Sequence, residues 1–368
     1  MIGNRNGNFV ITMMKKHNFG AGPSILPQEV FEQSAQACIE LDGIGLSILE
    51  ISHRSKEFEA ILDETLSSIK ELLQVPAGYQ VLLIQGGAHM QFDMVPYNLL
   101  NENETANYVE TDQWSIRAEE EAKLYGKMKI IASSKDSNFN FIPKNFNVDK
   151  DAAYLHLTSN NTIYGTEFLT DSTYEVEVVC DMSSDIFSRP VDISKYGLIY
   201  AGAQKNLGCS GITLVIIKDE LIGRAKRAKS KMWDYGIYAK NNSLYNTPPV
   251  FTIYTCLLTL RWLKKLGGLA EMEKRNKAKA ELLYAEIDRN PLFKGHAVTE
   301  DRSRMNIVFT ALNPEDETAF LEFVKPYNIH GIKGYRTVGG FRASCYNALP
   351  IESVQVLVDA MRSFEQSK

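Results

Sequence analysis

Cysteine is scarce in this chain and unpaired in its spacing. The five cysteines (Cys38, Cys180, Cys209, Cys256 and Cys345) are scattered over 368 residues, are odd in number and form no C-x-x-C, which argues against a disulfide framework and a thiolate zinc site and fits a reducing, cytoplasmic setting. The histidines give no metal spacing either: His17, His89, His156, His296 and His330 show no H-x-x-x-H, so no metal is expected. Long apolar runs are missing. The N-terminal patch FVITMM is too short for a signal sequence and no later stretch approaches a membrane span, so no membrane association is expected. An excess of positive charge is also lacking: 40 Lys and Arg against 45 Asp and Glu leave a net charge of −5, which gives no basic footprint for nucleic acid. There is no internal repeat, low-complexity tract or linker. Residues 1–16 read as a poorly ordered extension, with Met13 or Met14 as an alternative start.

What the chain does have is a recurrent apolar signal. With 44% hydrophobic and 23% charged residues it is ordinary globular material, and its length predicts two domains. YQVLLIQGG, ANYVETD, KMKIIASS, AAYLHLTSN, VEVVCDMSS, GLIYAGAQKN and ITLVIIKDE follow one another between residues 79 and 220. Short β-branched runs separated by helical or loop segments predict one large, mainly parallel seven-stranded sheet covered by helices, an α/β fold. Upstream, Phe58, Ile61, Leu62, Leu66, Ile69, Leu72 and Leu73 fall at helical spacing, with Ser55 as N-cap. Downstream, residues 250–288 read as a long helix broken near Gly267-Gly268 and then resumed, a candidate domain boundary. The tail returns to strand and helix patterns (RMNIVFTAL, ETAFLEFVKPY, GGFRASCYNA, IESVQVLVDAMRSFEQ), enough for a second, smaller α+β domain.

In open α/β sheets ligands lie beyond the carboxyl ends of the strands. Four strand ends carry polar residues of complementary kinds. LLIQGGAHMQF runs from strand through Gly86-Gly87 into a helix start, where free backbone N–H groups bind phosphate. HLTSNNTIYGTEF ends in hydrogen-bonding Ser, Asn and Thr; VEVVCDMSSD ends in Asp181; YAGAQKN ends in Gln204 and Lys205. A phosphate cup, a buried carboxylate and a lysine are what pyridoxal phosphate requires: an amine for a Schiff base and a carboxylate for the pyridine nitrogen. Trp114, in TDQWSIRAEEEA, is the candidate to cover the ring. Taken singly, each feature has an ordinary explanation as a turn, cap, solvated lysine or core aromatic; the set in this order does not. His53-Arg54, Arg336 and Arg342 add cations whose forks suit a ligand with two anionic ends.

Together, HNFGAGPSILP, EISHRSKEFEAIL, QGGAHMQF, SNNTIYGTEF, DMSSDIFSRPVDISKYGLIYAGAQKNLG, SLYNTPPVFTIY and VGGFRASCYNALP resemble the phosphoserine aminotransferase family of class-V aminotransferases, in family order from residue 17 to 350. The resemblance implies the fold-type-I pyridoxal-phosphate architecture of aspartate aminotransferase. It places a large cofactor-binding domain over residues 29–268 and a small domain over 17–28 with 269–368, in a homodimer with sites at the subunit interface. It implies Lys205 as the Schiff-base lysine, Asp181 at the pyridine nitrogen, Trp114 on the ring and Thr162 at the phenolic oxygen. Ala88, His89 and Gln204 would hold the cofactor phosphate, joined by Asn246 and Thr247 from the other subunit. Arg342 would take the substrate α-carboxylate; His53, Arg54 and Arg336 would take the distal phosphate or carboxylate. The implied reaction is reversible amino transfer between L-glutamate and 3-phosphohydroxypyruvate, giving O-phosphoserine and 2-oxoglutarate in L-serine biosynthesis. The phosphohydroxythreonine step of vitamin B6 synthesis is a second candidate reaction.

This chain departs from that family pattern in three places. Gly334-Tyr335-Arg336 stands where Gly-His-Arg is frequent, replacing a potential cation by a phenol. NLGCSG replaces an expected Pro-Ala pair after the lysine and brings Cys209 toward the cofactor as an oxidation-sensitive thiol, and SKMWDY replaces a Pro-x-Met-Leu-Asp-Tyr pattern. Rival readings are an aminotransferase for unphosphorylated amino acids (serine- or alanine-glyoxylate type), a cysteine-desulfurase relative, a nucleotide-binding oxidoreductase and a non-catalytic interaction protein. Cys345 sits in a strand-like run rather than a mobile loop, and G-x-G-x-x-G is missing, against the second and third.

Overall fold

The computed structural model describes residues 16–227 and 230–368; of the predicted extension, residues 1–15 lie outside the described residues. A two-residue strand β1 (His17–Asn18) leads to α1 (Gln28–Ile39) and α2 (Lys56–Leu72). As the spacing predicts, α2 starts on Ser55, whose side chain accepts from the Phe58 amide, and it buries Phe58, Ile61, Leu62, Leu66 and Ile69. Then come β2 (Tyr79–Gln85), α3 (His89–Leu99), β3 (Thr105–Glu110), α4 (Gln113–Ala122), β4 (Lys127–Ser133), β5 (Leu155–Thr158), β6 (Val178–Asp181), β7 (Leu198–Gly202) and β8 (Ile212–Lys218). All seven apolar runs have become strands of one sheet, in the order β2-β8-β7-β6-β5-β3-β4. Only β8 is reversed: it pairs antiparallel with both β2 and β7, and the remaining pairs are parallel.

The continuous hydrophobicity of those runs has a simple cause, since the sheet is covered on both faces. Alternate residues such as Leu83, Leu155, Cys180, Ile199 and Leu214 join one core, with α1, α2 and a later helix over residues 250–265 contributing residues to it. Their neighbours Leu82, Tyr108, Val179, Tyr200 and Val215 join a second core with α3 and α4. After the short α5 (Tyr235–Lys240) come α6 (Val250–Lys265) and α7 (Gly268–Arg289). The predicted break is real: Gly267 and Gly268 both have positive φ, at 103° and 76°, which glycine adopts without steric cost.

The remainder, β9 (Phe293–Gly295), β10 (Asn306–Ala311), α8 (Pro314–Phe323), β11 (Ile329–His330), β12 (Phe341–Ser344) and α9 (Ile351–Gln366), builds a three-stranded sheet β12-β10-β9. Its separate core of Phe293, Ile307, Phe309, Phe320, Phe341, Leu357 and Phe364 also takes in Phe19 and Ile25 from the other end of the chain. β1 pairs with β11, and the segment after residue 18 passes from this small-sheet core, at Phe19 and Ile25, to the first core of the large sheet, at Leu26. Among the described residues no helix is long and apolar enough to cross a membrane.

Candidate active site

The carboxyl edge of the large sheet carries polar residues in register. Thr158, the last residue of β5, is paired with Asp181, the last of β6, which is paired in turn with Tyr200 of β7. Beyond them a cavity of about 310 Å³ is lined by Ala88, His89, Trp114, Thr162, Asp181, Gln204, Lys205 and Arg342. Eight of the sequence-predicted site residues, spread over more than 250 positions of the chain, thus meet in one place. Its size suits a small organic ligand.

Lys205 follows β7, and its Nζ donates to Thr162 Oγ1 at 2.7 Å. Burial pushes its pKa down from 10.5 to about 8, against the opposing pull of Asp181 and Asp112, so a sizeable fraction of the amine is neutral near pH 8. Asp181 is 5% exposed. Burial raises its pKa, while the Ser183 amide, at 2.8 Å from Oδ1, and Lys205 favour the charged form. A carboxylate so enclosed favours a cation beside it.

Helix α3 begins at His89 with no side-chain cap; its Met90 and Gln91 amides turn back to the Gly87 and Ala88 carbonyls at 2.9 Å, so the Ala88 and His89 N–H groups at its mouth are the ones placed to meet an anion. A Cβ added at Gly87 would meet nothing within 4 Å; the cavity opens there. Trp114 lies in the first turn of α4, which Asp112 caps by accepting from the Trp114 and Ser115 amides at 2.9 and 2.8 Å. The His89 and Trp114 rings meet edge to face at 5.1 Å, and Arg117 donates to His89 Nε2 at 2.9 Å.

The small sheet supplies the opposite wall. Arg342 on β12 donates through Nη1 to the Thr162 carbonyl at 3.2 Å, while its buried Nε has no partner. Tyr346 fixes this strand's end: its hydroxyl donates to the Ala21 carbonyl at 2.9 Å and accepts from Asn306 Nδ2 at 3.2 Å. Tyr335, singled out as the phenol replacing a cation, lines the cavity with its ring under the Arg342 guanidinium at 5.9 Å.

Five expected residues stay away from this cavity. Arg54 and Arg336 are exposed. His53 and Thr247 line a separate surface cleft of about 420 Å³ with Leu49, Ile51 and Phe251, and Asn246 donates to Gln85 Oε1 at 2.6 Å. Cys209 also faces elsewhere, lying 3.2 Å from Thr255 Oγ1 on α6. Residues that sequence reasoning left unnamed include Ser183, Asn160 and Gly22. The SNN and DMSS strand ends pointed to the first two; only the three-dimensional return of the N-terminal segment reveals Gly22.

The donor set fits pyridoxal phosphate: amine, enclosed carboxylate, uncapped helix start and flat aromatic share one cavity. Comparison with known proteins agrees with this chemistry. The family description "Aminotransferase class-V" matches residues 16–357. The phosphoserine aminotransferase of Flavobacterium johnsoniae is 56% identical over 353 residues, covering 96% of this chain and 99% of that one. The solved phosphoserine aminotransferase of Bacillus circulans subsp. alkalophilus superposes with a TM-score of 0.93 at 45% identity, covering 96% and 99% of the two chains. The pyridoxal-phosphate-bound phosphoserine aminotransferase of Trichomonas vaginalis gives 0.90 at 36% identity, covering 95% and 100%. With a lysine, a carboxylate and an arginine gathered at the carboxyl edge of such a sheet, this chain belongs to the class-V aminotransferase family.

Proposed function

We propose that the chain moves an amino group between L-glutamate and 3-phosphohydroxypyruvate, giving O-phospho-L-serine and 2-oxoglutarate, with pyridoxal 5′-phosphate seated in the Lys205 cavity. The observation that carries this reading is the convergence of Lys205 and Asp181 on one cavity beneath the uncapped start of α3. The relatives, near full length on both sides, support the substrate.

When bound, the cofactor supplies an aldehyde that links to an amine and a ring that accepts electrons. The chain does the rest. Lys205 would provide the amine that links to the cofactor and would act as the base that moves the substrate's proton; its lowered pKa allows both roles near neutrality. Asp181 would pair with the protonated ring nitrogen, and Trp114 would cover the ring. Thr162, whose hydroxyl accepts from Lys205 Nζ at 2.7 Å, would donate to the phenolic oxygen. Ala88, His89 and Gln204 hold the cofactor phosphate. Arg342 takes the α-carboxylate with the Nε that this structure leaves unpartnered. Residues 17–28 and 269–368 act as a small domain on the large one, 29–268.

The chain works as a homodimer in the cytoplasm. His53, Arg54, Asn246 and Thr247 then serve the neighbouring subunit's cavity, Asn246 and Thr247 at the cofactor phosphate and His53 and Arg54 with Arg336 at the substrate's distal anion. The test is amino transfer from glutamate to 3-phosphohydroxypyruvate beside unphosphorylated hydroxypyruvate. The expected result is a preference of about a hundredfold or more in kcat/KM for the phosphorylated acceptor, the scale of two charge-assisted hydrogen bonds. Equal rates would remove the phosphate from the substrate and leave the amino-transfer chemistry standing.

A further inference from the structure

A buried polar belt that the reaction as derived so far does not use joins the walls of the cavity. Its side chains, Ser184, Asn160, Ser303, Asn306, Ser344 and Tyr346, are each at most 2% exposed. Asn160, just beyond β5, donates through Nδ2 to Ser184 Oγ and to Asn306 Oδ1, both at 2.8 Å. Asn306 opens β10 in register with Ser344, the last residue of β12, and donates through Nδ2 to Ser344 Oγ at 3.0 Å and to the Tyr346 hydroxyl at 3.2 Å. Tyr346 passes its own proton to the Ala21 carbonyl at 2.9 Å. In the same segment Ser24 donates its amide to the Gln204 carbonyl at 2.9 Å and its hydroxyl to the Lys205 carbonyl.

Counting protons fixes the direction of these links. The Asn160 backbone carbonyl can only accept, and it lies 2.8 Å from Ser184 Oγ, so it takes that hydroxyl's single proton. Ser184 Oγ must then accept from Asn160, which settles the end of the Asn160 amide that carries nitrogen. Asn160 Oδ1 accepts from Ser303 Oγ, whose lone pairs hold the Met305 and Asn306 amides at 3.0 and 2.8 Å. Asn306 therefore presents oxygen to Asn160 and its two N–H bonds to Ser344 and Tyr346. Neither amide can turn over without setting N–H against N–H. Apolar side chains of the same shape would fill this space at similar stability; what a fully satisfied buried network adds is a single arrangement.

Arg342 is the residue that this arrangement serves. It stands on β12 shortly before Ser344, and its guanidinium is held to the carbonyl of Thr162, shortly after Asn160. We propose that Asn306 and Tyr346 are positioning residues: through them the belt ties the strand of Arg342 to the chain beyond β5 and β6 and to the backbone of Lys205, and so sets the arginine against the lysine. The proposal rests on the reading of Arg342 as the group that takes the substrate α-carboxylate. Bonds between a guanidinium and a carboxylate are directional, and such constellations need placement within about 0.5 Å.

Tyr346→Phe deletes the hydroxyl that closes the belt. In the reconstituted protein it should raise the KM for glutamate and the Kd of glutarate, a dicarboxylate without a reacting amine, each about fivefold, with kcat within about twofold of the parent. Direct titration of the cofactor-free variant should give parental affinity for pyridoxal phosphate; a loss there as large as the loss for glutarate would mark a general disturbance and overturn the proposal. Ser344→Ala, which removes the other acceptor of Asn306, should act on KM and Kd in the same direction. Tyr154→Phe deletes a buried phenol hydroxyl outside the belt and should lower Tm while leaving KM and Kd as they are; an equal rise in that variant would assign the effect to lost packing and overturn the proposal. In an Arg342→Ala background Tyr346→Phe should weaken glutarate no further, because both changes act on one contact. Parental KM and Kd in Tyr346→Phe, or an undiminished effect without the arginine, overturns the proposal alone. If Arg342→Ala itself binds glutarate as the parent does, the reading of Arg342 fails and the proposal falls with it.

Discussion

Lys205 is a residue whose usefulness and whose cost to stability have the same origin. Its pKa falls from 10.5 to about 8 because burial strips water from the ammonium, so the folded chain binds that proton less tightly than the unfolded chain. The unfolded state therefore holds more protons across this window, and stability rises with pH between about 8 and 10.5. Below pH 8 the buried charge is a standing penalty. Lys205→Met should abolish turnover, keep the fold by circular dichroism, and melt above the cofactor-free parent at pH 7, with the difference closing toward pH 10. Turnover by the variant, or a lower Tm at pH 7, would contradict this account. In the parent, cofactor uptake should accelerate with pH through a midpoint of about 8, since only the neutral amine attacks an aldehyde.

At the scale of elements, α4 shows how a helix is placed for chemistry and what that placement leaves exposed to pH. Its capping box between Asp112 and Ser115 fixes the turn that presents Trp114. Burial pushes Asp112 up to about 7 in spite of the two amides it accepts. Further along, burial and then the neighbouring Glu110 carboxylate push Glu119 up to about 8, while Glu110 accepts from Ser133 Oγ at 2.7 Å. A carboxyl whose folded pKa is raised contributes stability that is full below its unfolded value near 4.5 and lost as pH rises through about 8. Glu119→Gln copies the protonated form, so it should leave Tm unchanged near pH 4 and raise it by about 3 °C near pH 9. A melt that shifts equally at both pH values would show that ionisation of Glu119 is not the cause.

The elements were largely legible before the structure. The seven strands and the helix break at Gly267-Gly268 follow from local pattern, and Ser55 as a cap follows from chemistry that acts within one turn. The site was legible in part. Lys205, Asp181, Thr162 and Trp114 stand at strand ends or helix starts, where the α/β layout forces proximity. What escaped depends on distant chain segments: Gly22 in the cavity wall, Tyr346 pinned to the Ala21 carbonyl, and the Tyr200–His156 contact across two strands. No periodicity encodes such contacts, because each is fixed by tertiary packing rather than by neighbours in sequence.

For the whole molecule, the surface around α1 and the loop after it is the feature that calls for a partner. Ile39 is 76% exposed and Leu49 66%, with Phe31, Ile44 and Leu46 also open to solvent; apolar side chains gathered in this way mark association surfaces. Leu49 also lines the cleft that holds His53 and Thr247, so this surface adjoins residues proposed for the site that this chain's own cavity lacks. A two-fold dimer closing on this surface would complete both cavities at once, each subunit lending His53, Arg54, Asn246 and Thr247 to the other. Leu49→Asp should then convert dimers to monomers in sedimentation and reduce turnover together. Hybrid complementation separates shared sites from mere pairing. Lys205→Ala and Arg54→Ala should each be inactive or nearly so, yet after mixing and subunit exchange about a quarter of the parental activity should return, because half of the dimers are hybrids and each hybrid holds one intact cavity. If Arg54 served its own subunit, every hybrid would instead pair one cavity lacking lysine with one lacking arginine, and mixing would restore nothing.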